Sequence, residues 1–346
     1  MRSPALLLGV IACSLAAGPA GWAAPTPVAV TMINVVNMLH TAEFVAVEKG
    51  FFLKQGLNVK FVHTQTGAEA NAAMESGSAQ LTDSGVTSIP PARAAGLPLV
   101  MFVPTLNDAT TNVGDNALAV VARTDSGIKP NDAKSLIGKT VGLVRGGTGD
   151  EYLTDWLRKE GVDPKQVRFL NVQPGDQLVT IQSKNVDAIA TWEPFQTLIL
   201  ETMGSQAVLI KRGGPILGYI LGIGTTDSYM RSHPEVIQAA TDALAEAEAW
   251  TRANQDAAAD VATHWIPGLP SKVARDAIRH INFDPRISGC TVRAFTESTK
   301  ILFDQHKIKN LVPASEQLSD RFVKQTEDRH PELFKDLAPI PAFCSR

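Results

Sequence analysis

Short apolar runs alternate with helix-periodic stretches along most of the chain. Val28 to Val36, Leu57 to Val62 and Ala79 to Thr82 each read as a strand: brief, largely apolar and bounded by turn-forming residues. The first leads through a loop, Asn37-Met38-Leu39-His40-Thr41, into a helix from Ala42 to Lys49 that Gly50 stops. The second leads to Thr66-Gly67-Ala68-Glu69, a T-x-x-E capping box opening a helix that ends at Ser76-Gly77. The third ends at Asp83-Ser84-Gly85.

The same order returns about 108 residues later. Val141, Leu143 and Val144 form a strand, Arg145-Gly146-Gly147 breaks it, and Thr148 with Glu151 fits a second capping box, with Thr148 as the N-cap. Tyr152, Leu153, Trp156 and Leu157 recur on one helical face until Gly161 and Pro164 end it. Val167 to Leu170 echoes Val59 to Val62, Gln173 to Asp176 echoes Gln65 to Ala68, and Ser183 through Ala190 echoes Ser76 through Asp83.

Strands alternating with helices imply parallel βαβ units, so the fold class is α/β with two doubly wound lobes. Ligands bind beyond the carboxyl ends of such strands. Two facing units would line a cleft with six loops: residues 37–41, 64–67, 83–88, 145–150, 173–176 and 191–195. Ala117 to Arg123 and Leu217 to Thr225 are apolar and suited to crossing between lobes as a two-strand hinge. From His233 the chain turns helical, and these helices are assigned to lobe I. The expected boundaries are 24–117 plus 223–346 for lobe I and 118–222 for lobe II.

Several residues on these loops carry candidate chemistry. Trp192, just past a strand, can stack on a ligand and donate through its indole N–H, or pack between lobes. Glu193 reads as a partner for a ligand donor or as a cap; Asp83 and Ser84 carry the same two readings. Thr66 and Thr148 are caps whose hydroxyls can still reach ligand, and His40 is a loop histidine or a ligand residue. Gly146 and Gly147 are expected to offer backbone N–H groups beside the positive end of a helix dipole. Arg145 has the place for an anion but could point into solvent. Asp150 and Glu151 already answer the dipole, and Asp83, Asp176 and Glu193 lean the cleft acidic. A larger molecule carrying donors is therefore expected over a bare anion. Phe44, Tyr152 and Trp156 are expected in the core.

At 346 residues the chain has room for two domains, and 44% hydrophobic with 19% charged residues describes an ordinary globular composition. A net charge of −3 with no basic cluster argues against a nucleic-acid partner. Residues 1–23 read as a signal peptide: Arg2, an apolar run from Ala5 to Ala17, and cleavage after Ala23. The rival reading is a lipobox, Val10-Ile11-Ala12-Cys13, with a lipid anchor at Cys13. No other stretch approaches the roughly 18 apolar residues of a membrane span. Export makes Cys290 and Cys344 candidates for a disulfide, with two free thiols the alternative. No Cys or His spacing resembles a metal site, no cofactor is implied, and no nucleophile, base and orienting residue fall together, so no catalytic residue is assigned.

Ala46-Val47-Glu48-Lys49-Gly50-Phe51-Phe52 with Gln55-Gly56-Leu57-Asn58-Val59, then Glu75-Ser76-Gly77-Ser78-Ala79-Gln80, Leu136-Ile137-Gly138-Lys139-Thr140-Val141-Gly142, and Val186-Asp187-Ala188-Ile189-Ala190-Thr191-Trp192-Glu193-Pro194-Phe195 form an ordered set. In that order they resemble the extracytoplasmic solute-binding proteins of ABC importers, in the nitrate, sulfonate, taurine and thiamine-pyrimidine group. The resemblance implies a bilobed fold of the type II periplasmic-binding-protein kind, a periplasmic monomer and permease and ATPase partners. It also implies a clamshell that captures one small organic ligand, a sulfonate, carboxylate or similar, without being an enzyme. Its ligand loops map onto Asn37 to Thr41 (with His40), Thr66 and Gly67, Asp83 and Ser84, Gly146 to Thr148, and Trp192 and Glu193. Alternatives are a binding protein for an aminopyrimidine precursor of thiamine and an exported sensor domain. A pyrimidine-synthase-like enzyme of the same fold is disfavoured, because its cysteine cluster is missing here.

Overall fold

The apolar runs assemble into two five-stranded sheets in the computed structural model, which describes residues 26–64, 67–111 and 114–345. Residues 1–23, expected as a signal peptide, with Cys13, and Thr66, lie outside the described residues. The strands are β1 Val28–Val35, β2 Leu57–Thr64, β3 Leu81–Gly85, β4 Leu99–Asn107, β5 Leu118–Arg123, β6 Thr140–Leu143, β7 Arg168–Asn171, β8 Ala188–Trp192, β9 Ala207–Arg212 and β10 Ile220–Thr226. One sheet has the order β2-β1-β3-β10-β4 and the other β7-β6-β8-β5-β9. Each sheet is the floor of one lobe.

The internal repeat is visible residue by residue in the registers. Met32 pairs with Phe61 on one side and Leu81 on the other; Val141 pairs with Phe169 and Ala188. The fourth strand of each sheet runs antiparallel: β10 lies between β3 and β4, and β5 between β8 and β9. These are the segments expected to cross between lobes, and each belongs to a single sheet. The crossings themselves lie in the adjoining connections, residues 108–111 with 114–117 and residues 213–219, which the Asp115 carboxylate ties together. Its Oδ2 accepts from the N–H of Ile216 at 3.0 Å and Leu217 at 2.7 Å, and Oδ1 accepts from Tyr219 N–H at 2.7 Å.

A second expectation shifts by a residue or two. The third strand begins at Leu81 and runs to Gly85, so Asp83 and Ser84 sit within a strand, not beyond its end. Register explains it: β3 pairs through Asp83, Ser84 and Gly85 with β10, whose partnership could not be read from β3 alone.

The C-terminal helices, all expected on lobe I, reach helices of both lobes. Pro234–Ala253 and Gln255–Trp265 pack on Thr41–Glu48, where the Phe44 and Trp265 rings stack at 5.3 Å. Ser271–Ala277 instead reaches Phe195–Met203, and Lys272 Nζ meets Glu201 Oε2 at 2.5 Å. Phe44, Tyr152 and Trp156 are buried in the core. Cys290 and Cys344 form a disulfide that clips the tail to Gly289–Asp304. Among the described residues no helix is long and apolar enough to cross a membrane.

Candidate functional site

The carboxyl ends of β1, β3, β6 and β8 point at one another across a cavity of about 430 Å³. Asn37, His40, Gly67, Asp83 and Ser84 line it from lobe I; Gly146, Gly147, Thr148 and Trp192 line it from lobe II. Thr41 and Glu193 are not among its lining residues. Thr41 opens the helix to Glu48, and its buried hydroxyl donates to Met38 O at 2.6 Å. Glu193 is fully buried, with Oε1 accepting from Gln196, Thr197, Arg212 and His280.

On lobe I, Asn37 caps the short helical turn Met38–His40 through Oδ1, which accepts from Leu39 N–H at 2.9 Å. That turn delivers His40 against two carboxylates, with Nδ1 at 2.9 Å from Glu43 Oε1 and 3.3 Å from Asp83 Oδ1. Burial works against an imidazolium here, but the charges of Asp83 and Glu43 outweigh it and hold His40 up at about 10. Burial and the nearby Asp83 push the Glu43 carboxyl up.

On lobe II, the loop from Val144 to Thr148 differs from the expected capping box. The helix Thr148–Lys159 starts one residue early, with Gly147 as an extended N-cap at φ −99° and Thr148 as its first residue. No side chain caps it in the T-x-x-E manner, and Glu151 is buried with Oε1 unpartnered. The carboxylate that organises the loop is Asp150: Oδ2 accepts from Gly146 N–H at 2.8 Å and Oδ1 meets Arg145 Nη1 at 3.2 Å. Gly146 takes φ 72°, which only glycine adopts readily, while Gly147 N–H donates to Val144 O at 3.0 Å. The expected offer of N–H groups from Gly146 and Gly147 is therefore already taken up within the loop. Helix geometry leaves the N–H of Thr148 without an intrahelical acceptor. Gly149 lets the helix approach β8, since a Cβ there would lie 2.5 Å from Ala190 O.

Opposite walls come close at the cavity. Thr87 Oγ1 and Thr148 Oγ1 are 3.5 Å apart, and the Tyr219 phenol, also on the lining, is pushed up by burial. Trp192 packs edge-on to Phe195 at 6.0 Å and lines the cavity. Half-exposed Arg145 lies over the Phe169 ring at 5.1 Å. Sequence reasoning missed Tyr219, which sits on a lobe crossing, and Glu43, which reaches His40 from inside a helix; the His-x-x-Glu spacing at 40 and 43 was the available signal.

The family model described as NMT1/THI5 like matches residues 37–258. The chain is 24% identical over 292 residues to the putative aliphatic sulfonates-binding protein of Bacillus subtilis (strain 168), across 83% of this chain and 85% of that protein. It is 25% identical over 250 residues to the taurine-binding periplasmic protein of Escherichia coli (strain K12), across 70% and 72%. Among solved structures, the periplasmic aliphatic sulphonate binding protein of Escherichia coli superposes with a TM-score of 0.71 at 19% identity, over 84% of this chain and 97% of that one.

Proposed function

The chain belongs to the NMT1/THI5-like family, and on that premise we propose that it is the extracytoplasmic solute-binding component of an ABC importer. The reading rests foremost on the cavity of about 430 Å³ between the two lobes, of a size for one small organic molecule. Relatives named for binding sulfonates and taurine favour capture without turnover, a periplasmic location and delivery to permease and ATPase subunits. The lobes are taken as 24–117 plus 223–346 and 118–222, closing about the crossings at 114–117 and 213–219.

The proposed ligand is a small sulfonate or carboxylate that also carries hydrogen-bond donors. Arg145, Thr148 and Tyr219 suit its anionic end, Trp192 its apolar body, and Asp83 with Ser84 its donors. Asn37, His40 and Gly67 complete the lobe I wall. An aminopyrimidine is the second reading, favoured by the buried Asp83 carboxylate beside Trp192.

Thermal-shift measurements with taurine, alkyl and aryl sulfonates, nitrate, aromatic acids and aminopyrimidines test this. A ligand at 100 times its dissociation constant adds about 2.7 kcal/mol of stability. A sulfonate or carboxylate is expected to raise the melting temperature and nitrate to leave it unchanged. If none of the panel shifts it and small-angle scattering detects no closure, the reading fails.

A further inference from the structure

Three side chains at the floor of lobe I bring metal-type donor atoms to one point. One donor atom from each of His40, Glu43 and Asp83 lies within 4.8 Å of the other two, with His40 Nδ1 2.9 Å from Glu43 Oε1 and 3.3 Å from Asp83 Oδ1. All three residues are buried. As a purely hydrogen-bonded cluster the arrangement is incomplete. A single Nδ1–H cannot serve two carboxylates, and Asp83 Oδ1, on a side chain 1% exposed, has no hydrogen-bond partner.

The outer oxygens are arranged differently. Asp83 Oδ2 accepts from Val35 N–H, and Glu43 Oε2 accepts from the amide of Asn34 at 2.5 Å. Each carboxylate is thus oriented by a protein donor on one oxygen while its other oxygen faces the imidazole. Carboxylates that ligate metals are held in this way by surrounding hydrogen bonds. The spacings also agree. With metal–ligand bonds of about 2.1 Å, adjacent donors sit about 3.0 Å apart around an octahedral ion and about 3.4 Å apart around a tetrahedral one. A divalent ion would balance both carboxylates with the imidazole neutral. His40 and Asp83 also line the ligand cavity, which gives an ion a path in.

We infer that His40, Glu43 and Asp83 form a binding site for a first-row divalent transition cation of the Zn²⁺ type at the lobe I wall of the cleft. One imidazole and two carboxylates suit such an ion better than Ca²⁺, which takes six to eight oxygens, or Mg²⁺, which keeps its waters. The inference does not depend on which solute the cleft captures.

The test uses tag-free, chelator-stripped protein dialysed against ZnCl₂, with metal in protein and dialysate measured by mass spectrometry. One Zn²⁺ per chain is expected, with binding at least tenfold weaker in His40→Gln and Asp83→Asn, whose folding is checked by circular dichroism. A second measurement needs only the unaltered chain: calorimetric titration with ZnCl₂, in which one ion per chain is expected. Unaltered chain carrying no more Zn²⁺ than its dialysate, or folded variants that bind Zn²⁺ as the unaltered chain does, would overturn the inference.

Discussion

His280 Nδ1 lies 2.7 Å from Glu193 Oε1, joining the segment after Ser271–Ala277 to the turn that follows the cavity residue Trp192. The same oxygen accepts from Gln196 Nε2 at 2.7 Å, Thr197 Oγ1 at 2.9 Å and Arg212 Nη1 at 2.8 Å. Four donors on one fully buried oxygen fix the backbone beside the indole from three directions: the following helix, β9 and the C-terminal segment. Glu193 therefore acts on the cleft by positioning its neighbour.

Removing that acceptor should be costly. Glu193→Ala leaves the Arg212 guanidinium without its counter-charge and His280 without its hydrogen-bond partner, and is expected to destabilise the protein by about 3–5 kcal/mol, the range for breaking a buried ion pair. Glu193→Gln keeps an oxygen acceptor and should cost less. Urea unfolding of both variants checks this, and a Glu193→Ala midpoint equal to that of the unaltered chain would refute the role.

Asp115 offers a parallel test at the lobe crossing. Its two oxygens satisfy the backbone N–H groups of Ile216, Leu217 and Tyr219. Asp115→Asn keeps one acceptor oxygen and turns the other into a donor facing N–H groups. Leaving a buried donor unsatisfied costs about 1–3 kcal/mol, so a loss of roughly that size is expected in chemical denaturation. Faster amide exchange at 216–219 is expected with it, and unchanged exchange there would show that the carboxylate does not hold the crossing.

The architecture was legible because it is periodic. Strands, glycine stops and the 108-residue echo are local patterns, and the registers of Met32 and Val141 reproduce the repeat. What escaped is convergence between side chains that no spacing encodes. Asp83 meets His40 because β3 lies beside β1, and Glu43 joins them from the following helix. The helix at Thr148 was misread for a local reason. Thr148 and Gly147 both suit an N-cap, and Asp150 settles the choice by accepting Gly146 N–H, leaving Glu151 without the role its spacing suggested.

The disulfide makes a third prediction. Cys290 and Cys344 are 54 residues apart, and closing a loop of that size contributes about 4 kcal/mol in the chain-entropy model. Cys290→Ala with Cys344→Ala, or reduction of the native chain, should lower the thermal midpoint measurably. Equal midpoints with and without reductant, with the bond verified by mass, would show that the clip adds nothing to stability.

Glu151 supplies the pH prediction. Burial raises its carboxyl from an ordinary value of 4.5 to about 8; Lys307 opposes the rise, and Asp155 and Asp150 add to it. An acid whose folded value is raised stays protonated in the native state while the unfolded chain releases its proton. Stability is therefore lost as pH rises from about 4.5 to about 8, and the loss is complete above that window. A tenfold difference in proton affinity between the folded and unfolded chain is worth about 1.4 kcal/mol, so the effect is on the order of a few kcal/mol. Other buried acids, Glu248 and Asp108 among them, move in the same direction, so the overall pH profile cannot isolate one group. The difference between the unaltered chain and Glu151→Gln can, because glutamine does not titrate. Chemical denaturation at about pH 5, 7 and 9 should find the two close at the lowest pH and the variant increasingly more stable at the two higher ones. A stability difference that stays flat across that range would assign the pH response to groups other than Glu151.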